Sequence, residues 1–230
     1  MLTTEGLMRL MTWLSPSFPV GAYTYSHGLE YAVEEGLVHD GDSLRDWCEG
    51  ALLFGAGRTD GVFFCEAWKH GQDWDVSALV GLNEYATALR PTSEMALESE
   101  AQGRAFLTTL LDVIPSTGLV ALADALKDSG HLAAYPVIVG AVAAFEKIDC
   151  QAALVAYLHA FAANLVSAGV RLVPLGQTAG QRALHGLETA VQESAEVALK
   201  TDFRDIGSCA PVIDWTSMKH ETQYTRLFRS

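Results

Sequence analysis

The chain is poor in the residues that metal-binding and redox motifs require. Its 230 residues include four cysteines, and no two of them have the spacing of a CxxC motif. This argues against a zinc site or a thioredoxin-like pair, and predicts buried, reduced thiols. The seven histidines include no pair three or four residues apart, so HExxH-type ligation is absent as well. We therefore expect no metal site, and a helical metalloenzyme that assembles distant ligands is the remote alternative.

Catalytic motifs are also missing. The sequence contains neither a GxSxG nucleophile motif nor a GxxxxGK[ST] phosphate-binding loop. The stretch from Gly55 to Thr59 is rich in glycine, but it lacks the lysine and the spacing of such a loop. We predict no catalytic residues and no cofactor, and we expect that the protein is not an enzyme.

Basic residues are few. Lys and Arg number 15 against 28 Asp and Glu, which gives a formal net charge of −13 and a pI of about 4.8. An acidic surface repels phosphate backbones, so nucleic acid is not an expected partner. The last residues differ, because 215–230 hold Lys219, Arg226 and Arg229 against Glu221 alone. A tail of opposite charge can bind the acidic body of its own chain or another chain, or it can be a frayed terminus.

Sustained alternation of apolar and polar residues, the pattern of β-strands, appears nowhere, whereas helical periodicity recurs along the chain. One buried helical face is predicted by Leu44, Cys48 and Leu52, and another by Leu29, Ala32, Val33 and Leu37 with Glu30 and Glu34 on the solvent side. Ser43 with Asp46 resembles a capping box, and Thr178 with Gln181 predicts the start of a helix that runs through Val197. We predict an all-α, single-domain helical bundle of roughly nine or ten helices over residues 1–230, with 215–230 as a partner-binding tail.

Membrane and export signals are not expected. The first residues include Glu5 and no basic leader, which is unlike a signal peptide. Residues 152–173 are long enough to span a bilayer but contain His159, Asn164 and Arg171. A buried helix of a soluble, cytoplasmic protein is the better interpretation, with His159 as a core histidine.

The connection at residues 15–30 is the most informative segment. It combines Pro16 and Pro19, which fix φ, with Gly21 and Gly28, which permit unusual backbone angles. Its aromatic side chains either return to the core or present a rigid surface to a partner.

Two further features suggest contacts. Arg171 lies in an apolar run just before Pro174, so it must form an ion pair, bind carbonyl groups, reach water or meet a partner. The tail ends in Tyr224, Arg226, Leu227, Phe228 and Arg229, residue types that are common at interface hot spots.

These segments carry a resemblance to a known family. Residues 15–30 resemble the N-terminal signature of the UreF urease accessory proteins, which reads roughly Ser-Pro-x-x-Pro-x-Gly-x-aromatic-x-aromatic-Ser-x-Gly-Leu-Glu. Ala22 stands where a second glycine is common, and His27 where glutamine is common. The runs from Asn164 to Thr178 and from His220 to Ser230 are also similar to the family.

The resemblance implies a helical, commonly dimeric cytoplasmic protein. It implies partners as well: UreD, called UreH in some organisms, the GTPase UreG, and apo-urease through their complex, in which GTP hydrolysis helps to install nickel. Two roles remain open, a scaffold that joins UreD and UreG, and a GTPase-activating regulator that offers UreG a polar group or an arginine.

The candidate partner-binding residues come from these segments. We further expect Arg226 or Arg229 to pack against the loop that carries Tyr23 and Tyr25, since arginine stacks on tyrosine rings. The full set is Pro19, Gly21, Tyr23, Tyr25, Ser26, Glu30, Asn164, Arg171, Gln177, Tyr224, Arg226, Leu227, Phe228 and Arg229.

Overall fold

Helices supply all the regular secondary structure of residues 1–230, which the computed structural model describes throughout. The all-α bundle predicted from the sequence is confirmed. The twelve α-helices count as ten when the two pairs separated by at most two residues, α3 with α4 and α10 with α11, are each taken as one. The α-helices are α1 (Thr4–Trp13), α2 (Leu29–Glu34), α3 (Gly41–Leu53), α4 (Ala56–Gln72), α5 (Val76–Ala88), α6 (Ser93–Val113), α7 (Thr117–Ser129), α8 (Tyr135–Phe145), α9 (Cys150–Leu172), α10 (Gln177–Gly186), α11 (Glu188–Lys200) and α12 (Pro211–His220).

Helix ends differ from the sequence prediction in two places. Helix α3 is capped by Asp40, whose side chain accepts the Ser43 N–H at 2.8 Å, so the capping box is Asp40 with Ser43 rather than Ser43 with Asp46. The helix predicted to run through Val197 is divided at Leu187, a fully buried residue between α10 and α11. The apolar pattern continues through this break, so periodicity alone could not show it.

The centre of the bundle is the pair α4 and α8. Every residue of α8 from Pro136 to Phe145 is buried, as its nearly continuous apolar sequence requires. The two helices approach closely because Gly140 has no side chain: a Cβ there would lie 2.4 Å from the Phe64 carbonyl oxygen. Helices α3, α9 and α11 pack around α4, and α6 packs on α8.

Helix α9 is the one helix long and apolar enough to cross a bilayer, and half of its most apolar stretch is buried within the fold. It ends at Leu172, two residues before Pro174, where the helix was predicted to stop. His159 is exposed on its outer side, so the prediction of a core histidine is wrong. The thiols are also less uniform than predicted: Cys48 and Cys65 are buried, Cys150 is half-buried and Cys209 is exposed.

Candidate partner interface

The loop between α1 and α2 is a shaped connection with two distinct faces. Pro19 is exposed, and Gly21, at φ 75°, leads into a short 3-10 turn at Ala22–Thr24. Tyr23 points outward with 65% of its surface exposed, whereas Tyr25 is buried. The sequence left open whether the loop aromatics return to the core or face a partner. Tyr25 returns to the core, and Tyr23 lies on the surface.

Helix α12 packs against the end of this loop, and Gly28 permits the contact. Gly28 has φ 79°, and a Cβ there would lie 2.8 Å from Thr216 Oγ1 and 2.9 Å from the Ser217 nitrogen. Any other residue would be strained by its backbone angles and would clash with α12. The Gly-Leu-Glu end of the signature therefore has a direct structural role.

After α12, the chain turns back and runs along the loop. The Arg229 N–H donates to the Thr24 carbonyl at 2.8 Å, and the Ser26 N–H donates to the Ser230 carbonyl at 2.6 Å. The Ser26 hydroxyl donates to the same Ser230 oxygen. Phe228 and Ser230 are buried. The sequence led us to expect contact between the tail and this loop through an arginine side chain, whereas the structure fixes the tail there by main-chain hydrogen bonds.

Glu30 holds the tail at the start of α2. Its carboxylate accepts the Leu227 N–H at 2.7 Å and the Phe228 N–H at 2.9 Å. Such charge-assisted bonds are roughly twice as strong as neutral ones. Glu30 is 8% exposed, so its predicted place on the solvent side of α2 is wrong. The buried carboxylate is satisfied by the tail instead of by water.

His220 lies between two buried carboxyl groups. Its Nε2 is 3.1 Å from Glu30 Oε2, its Nδ1 is 2.8 Å from Glu94 Oε2, and the ring is fully buried. Because carboxylates only accept, either both ring nitrogens carry protons or one carboxyl group is protonated. Burial raises the pKa of Glu94, while His220 and Arg226 act in the opposite direction. The sequence offered no local sign of this network, since its members are 64 to 190 residues apart.

The tail arginines do not stack on the loop tyrosines as expected. Arg226 Nη1 forms an ion pair with Glu94 Oε1 at 3.0 Å. Arg229 contacts the loop through its main chain, and its side chain is exposed. The arginine that meets an aromatic ring is Arg171, whose guanidinium carbon lies 4.3 Å from the centre of the Phe228 ring. Arg171 also donates to the Ser167 carbonyl at 3.2 Å, one of the contacts considered for it.

The remaining candidate residues are less closely connected. Asn164 is half-buried on α9. Gln177 is exposed at the first position of α10, and its side chain makes no hydrogen bond to the loop or the tail.

We call residues 15–30 together with 211–230 the loop–tail surface. Sequence reasoning missed the contributions of Glu94, Glu98 and His220 to it; Glu98 accepts the Ser230 hydroxyl at 3.0 Å.

The loop–tail surface exposes several large apolar side chains. Tyr224 and Leu227 extend from the tail, and Trp215 and Met218 from α12. The Trp215 ring packs edge-on against Tyr31 with a centroid distance of 5.5 Å, so it is held in place while it remains partly exposed. Aromatic and aliphatic anchors on a fixed backbone are typical of protein-binding sites.

Comparisons with known proteins agree with the resemblance seen in the sequence. The family model for UreF matches residues 38–188. A urease accessory protein UreF of Rhodopseudomonas palustris (strain BisB5) is 50% identical over 227 residues, which cover 99% of this chain and 92% of that protein. The UreF of Granulibacter bethesdensis is 47% identical, covering 97% and 94%, and that of Magnetococcus marinus is 45% identical, covering 100% of both. The chain belongs to the UreF family of urease accessory proteins.

Proposed function

We propose that this chain is a scaffold that assembles with UreD (UreH) and the GTPase UreG and supports GTP-dependent nickel insertion into apo-urease in the cytoplasm. One observation carries the proposal: the tail is fixed by Glu30, yet Tyr224 and Leu227 remain exposed. A backbone that is already ordered loses little entropy when a partner covers its side chains. The chain as a whole carries a net charge of −13, which suits basic partner surfaces.

The scaffold role is tested with purified components. We expect the chain to co-elute with UreD alone in size-exclusion chromatography, and to recruit UreG into a larger complex once UreD is present. Separate elution of all three proteins under nickel- and GTP-containing conditions would contradict the proposal.

A GTPase regulator is the second candidate, and one observation favours it. The Arg229 side chain is exposed and makes no ion pair, so it is free to enter a nucleotide site. Arginine fingers accelerate GTP hydrolysis by about 10³–10⁵-fold. Arg229→Ala should abolish such a stimulation of UreG if this role holds. Under the scaffold role, Arg229→Ala leaves the GTPase rate of UreG unchanged. The control is Arg182→Ala, at an exposed position on α10, which should leave that rate unchanged under either role.

We also propose that the chain forms a homodimer through an apolar groove between α1, α9 and α11. The groove encloses about 390 Å³ and is lined mainly by apolar residues, among them Leu10, Val155 and Val191. Leu7 and Met11, which line the groove from α1, form an exposed apolar ridge along its edge together with Met8. A ridge next to a groove is self-complementary under two-fold symmetry.

Charge supports a second copy as the occupant of the groove. Two chains of −13 repel each other, so they associate best through a face with few charges. The only ionisable residues that line the groove are His159 and Glu188, and Glu188 lies 3.0 Å from His185. The exposed His159 then belongs to an interface instead of the core.

A further inference from the structure

Two of the four cysteines meet where α4 packs against the start of α9. Cys65 is buried on α4, and Cys150 is the half-buried first residue of α9. Their thiol groups lie within hydrogen-bonding contact of each other. The two residues are far apart in the sequence, so the absence of a CxxC motif gave no sign of the pair.

The backbone on each side of the pair is fixed. One turn after Cys65 on α4, the Trp68 indole N–H donates to the Ile148 carbonyl at 2.8 Å, which ties α4 to the turn before α9. Asp149 caps α9 with its side chain, so the helix begins at Cys150. The fold itself, and not a mobile segment, therefore brings the two thiols together.

The two thiols differ in acidity. Cys150 lies at the N-terminal end of a 23-residue helix, where the helix dipole favours a thiolate. The hydrogen bond from Cys65 lowers the pKa of Cys150, and the positive charge of Lys69 acts in the same direction. Burial and the charge of Asp149 oppose them without reversing the shift. The same hydrogen bond, together with burial, raises the pKa of Cys65. The thiolate therefore forms at Cys150, and Cys65 keeps its proton.

This arrangement is typical of an attacking and a resolving cysteine. Cysteines that react with oxidants are those that favour the thiolate, are reached by solvent and lie beside a second thiol. Cys150 has the first two properties, and Cys65 supplies the third. Because Cys150 is half-buried, a small oxidant reaches its sulfur more easily than a bulky disulfide does. A hydroperoxide is a reactant of that size.

We propose that Cys65 and Cys150 are a peroxide-reactive pair that closes to an intramolecular disulfide. The Cys150 thiolate attacks hydrogen peroxide: an S–O bond forms, the O–O bond breaks, and the departing hydroxide takes a proton from solvent. The Cys65 sulfur then attacks the sulfenic acid on Cys150, so that an S–S bond forms and the S–O bond breaks. The hydroxide that leaves takes the Cys65 proton and becomes water. The thiols lose two electrons, which reduce the peroxide to water.

The test adds hydrogen peroxide to the full chain carrying Cys209→Ser, a change that removes the exposed thiol that could join two chains. Intact mass spectrometry should show the loss of two hydrogens, and dithiothreitol should restore them. Peptide mapping without reduction should join Cys65 to Cys150. Cys48, fully buried on α3, should remain a thiol. Failure to form this disulfide, or formation of one that involves Cys48, overturns the proposal.

Two variants in the same background assign the roles. In Cys65→Ala the attacking thiol has no partner, so the sulfenic acid should persist at Cys150 and be trapped there by dimedone. In Cys150→Ala the peroxide meets only buried thiols, so dimedone labelling should be lost. Equal labelling of the two variants contradicts the assignment of Cys150 as the attacking residue. If either variant fails to fold, the peptide map of the chain with both cysteines decides.

The charge of Lys69 gives a third measurement. Lys69→Gln removes the positive charge that favours the Cys150 thiolate. It should slow disulfide formation about two- to fivefold at neutral pH, the effect of one partly exposed charge. The control Lys127→Gln, at an exposed position on α7, should leave the rate unchanged. Equal rates in the two variants would contradict the proposed activation of Cys150.

Discussion

Glu30 shows how one residue can serve a purpose that its sequence pattern conceals. Its position on α2 predicts a solvated acidic face, shared with Glu34. The structure instead buries it beneath the tail, where it accepts two consecutive main-chain amides and faces His220. Periodicity assigns a residue to a face of its helix, but it cannot show that a segment almost 200 residues later covers that face.

Glu30→Gln should detach the tail. Glutamine keeps one acceptor but places an NH₂ group against donors, and bonds to charged groups contribute about 1.5–3 kcal/mol each. We expect the free energy of unfolding to fall by about 2–3 kcal/mol in urea titrations, and trypsin to cleave faster after Arg226. Glu35→Gln, at an exposed position on the C-terminal side of α2, is the control and should change neither. Unaltered proteolysis of Glu30→Gln would show that Glu30 does not hold the tail.

The buried thiol of Cys48 gives a prediction for alkaline pH. Burial raises the pKa of Cys48 from 9.0 to about 12. A group whose pKa is higher in the folded state than in the unfolded state stabilises the fold at pH values below its unfolded pKa. That stabilisation is lost as the pH rises towards the folded pKa. Relative to Cys48→Ala, the unmodified chain should therefore lose about 1 kcal/mol of stability between pH 9 and pH 10. Urea titrations at both pH values measure this, and Cys209→Ala, at an exposed site, should show no such difference.

At the scale of elements, the sequence predicted what depends on local pattern. The apolar stripe of α3, the continuous burial of α8 and the end of α9 near Pro174 all follow from residue spacing. The break at Leu187 and the cap at Asp40 did not, because the apolar pattern is continuous and several polar residues compete for the cap. Of the loop–tail surface, its two segments were found, whereas Glu94 and Glu98 on α6 depend on tertiary contacts that no local pattern encodes.

Removal of residues 221–230 tests the tail as an element. The truncated chain loses Phe228 from the core and leaves Glu30 and Glu94 without their tail partners. We expect the helical circular dichroism to persist, since residues 221–230 contain no helix, but the midpoint of thermal unfolding to fall with the loss of Phe228. Binding to UreD should be lost. Complete complex formation by the truncated chain would refute the role of the tail in binding, and global unfolding would show that the bundle cannot fold without the tail.

At the scale of the whole molecule, two surfaces differ in charge and in exposed apolar area: the groove beside α1 and the loop–tail surface. The groove beside α1 carries few charges, whereas the loop–tail surface combines anchors with the positively charged end of an acidic chain. The first suits a second copy, and the second suits a different protein. The two functions should therefore be separable by mutation.

Met11→Glu should abolish the homodimer. Met11 is 67% exposed on the α1 ridge, so the substitution leaves the fold intact while it places like charges in the proposed interface. Sedimentation velocity should show monomers for Met11→Glu and dimers for the unmodified chain. Met218→Glu, at a position on α12 that is 52% exposed, is the control and should remain dimeric. A dimer that persists in Met11→Glu would place the interface elsewhere.

The central claim, that the fixed tail presents anchors to a partner, is tested most directly by one affinity. The double variant Tyr224→Ala, Leu227→Ala removes two exposed side chains and leaves the main-chain bonds to Glu30 in place. Its affinity for purified UreD is measured by calorimetry beside the unmodified chain and the control Val120→Ala, an exposed site on α7. We expect a loss of affinity of about thirtyfold or more, as for hot-spot residues, with unchanged thermal stability. Equal affinities for all three proteins would contradict it.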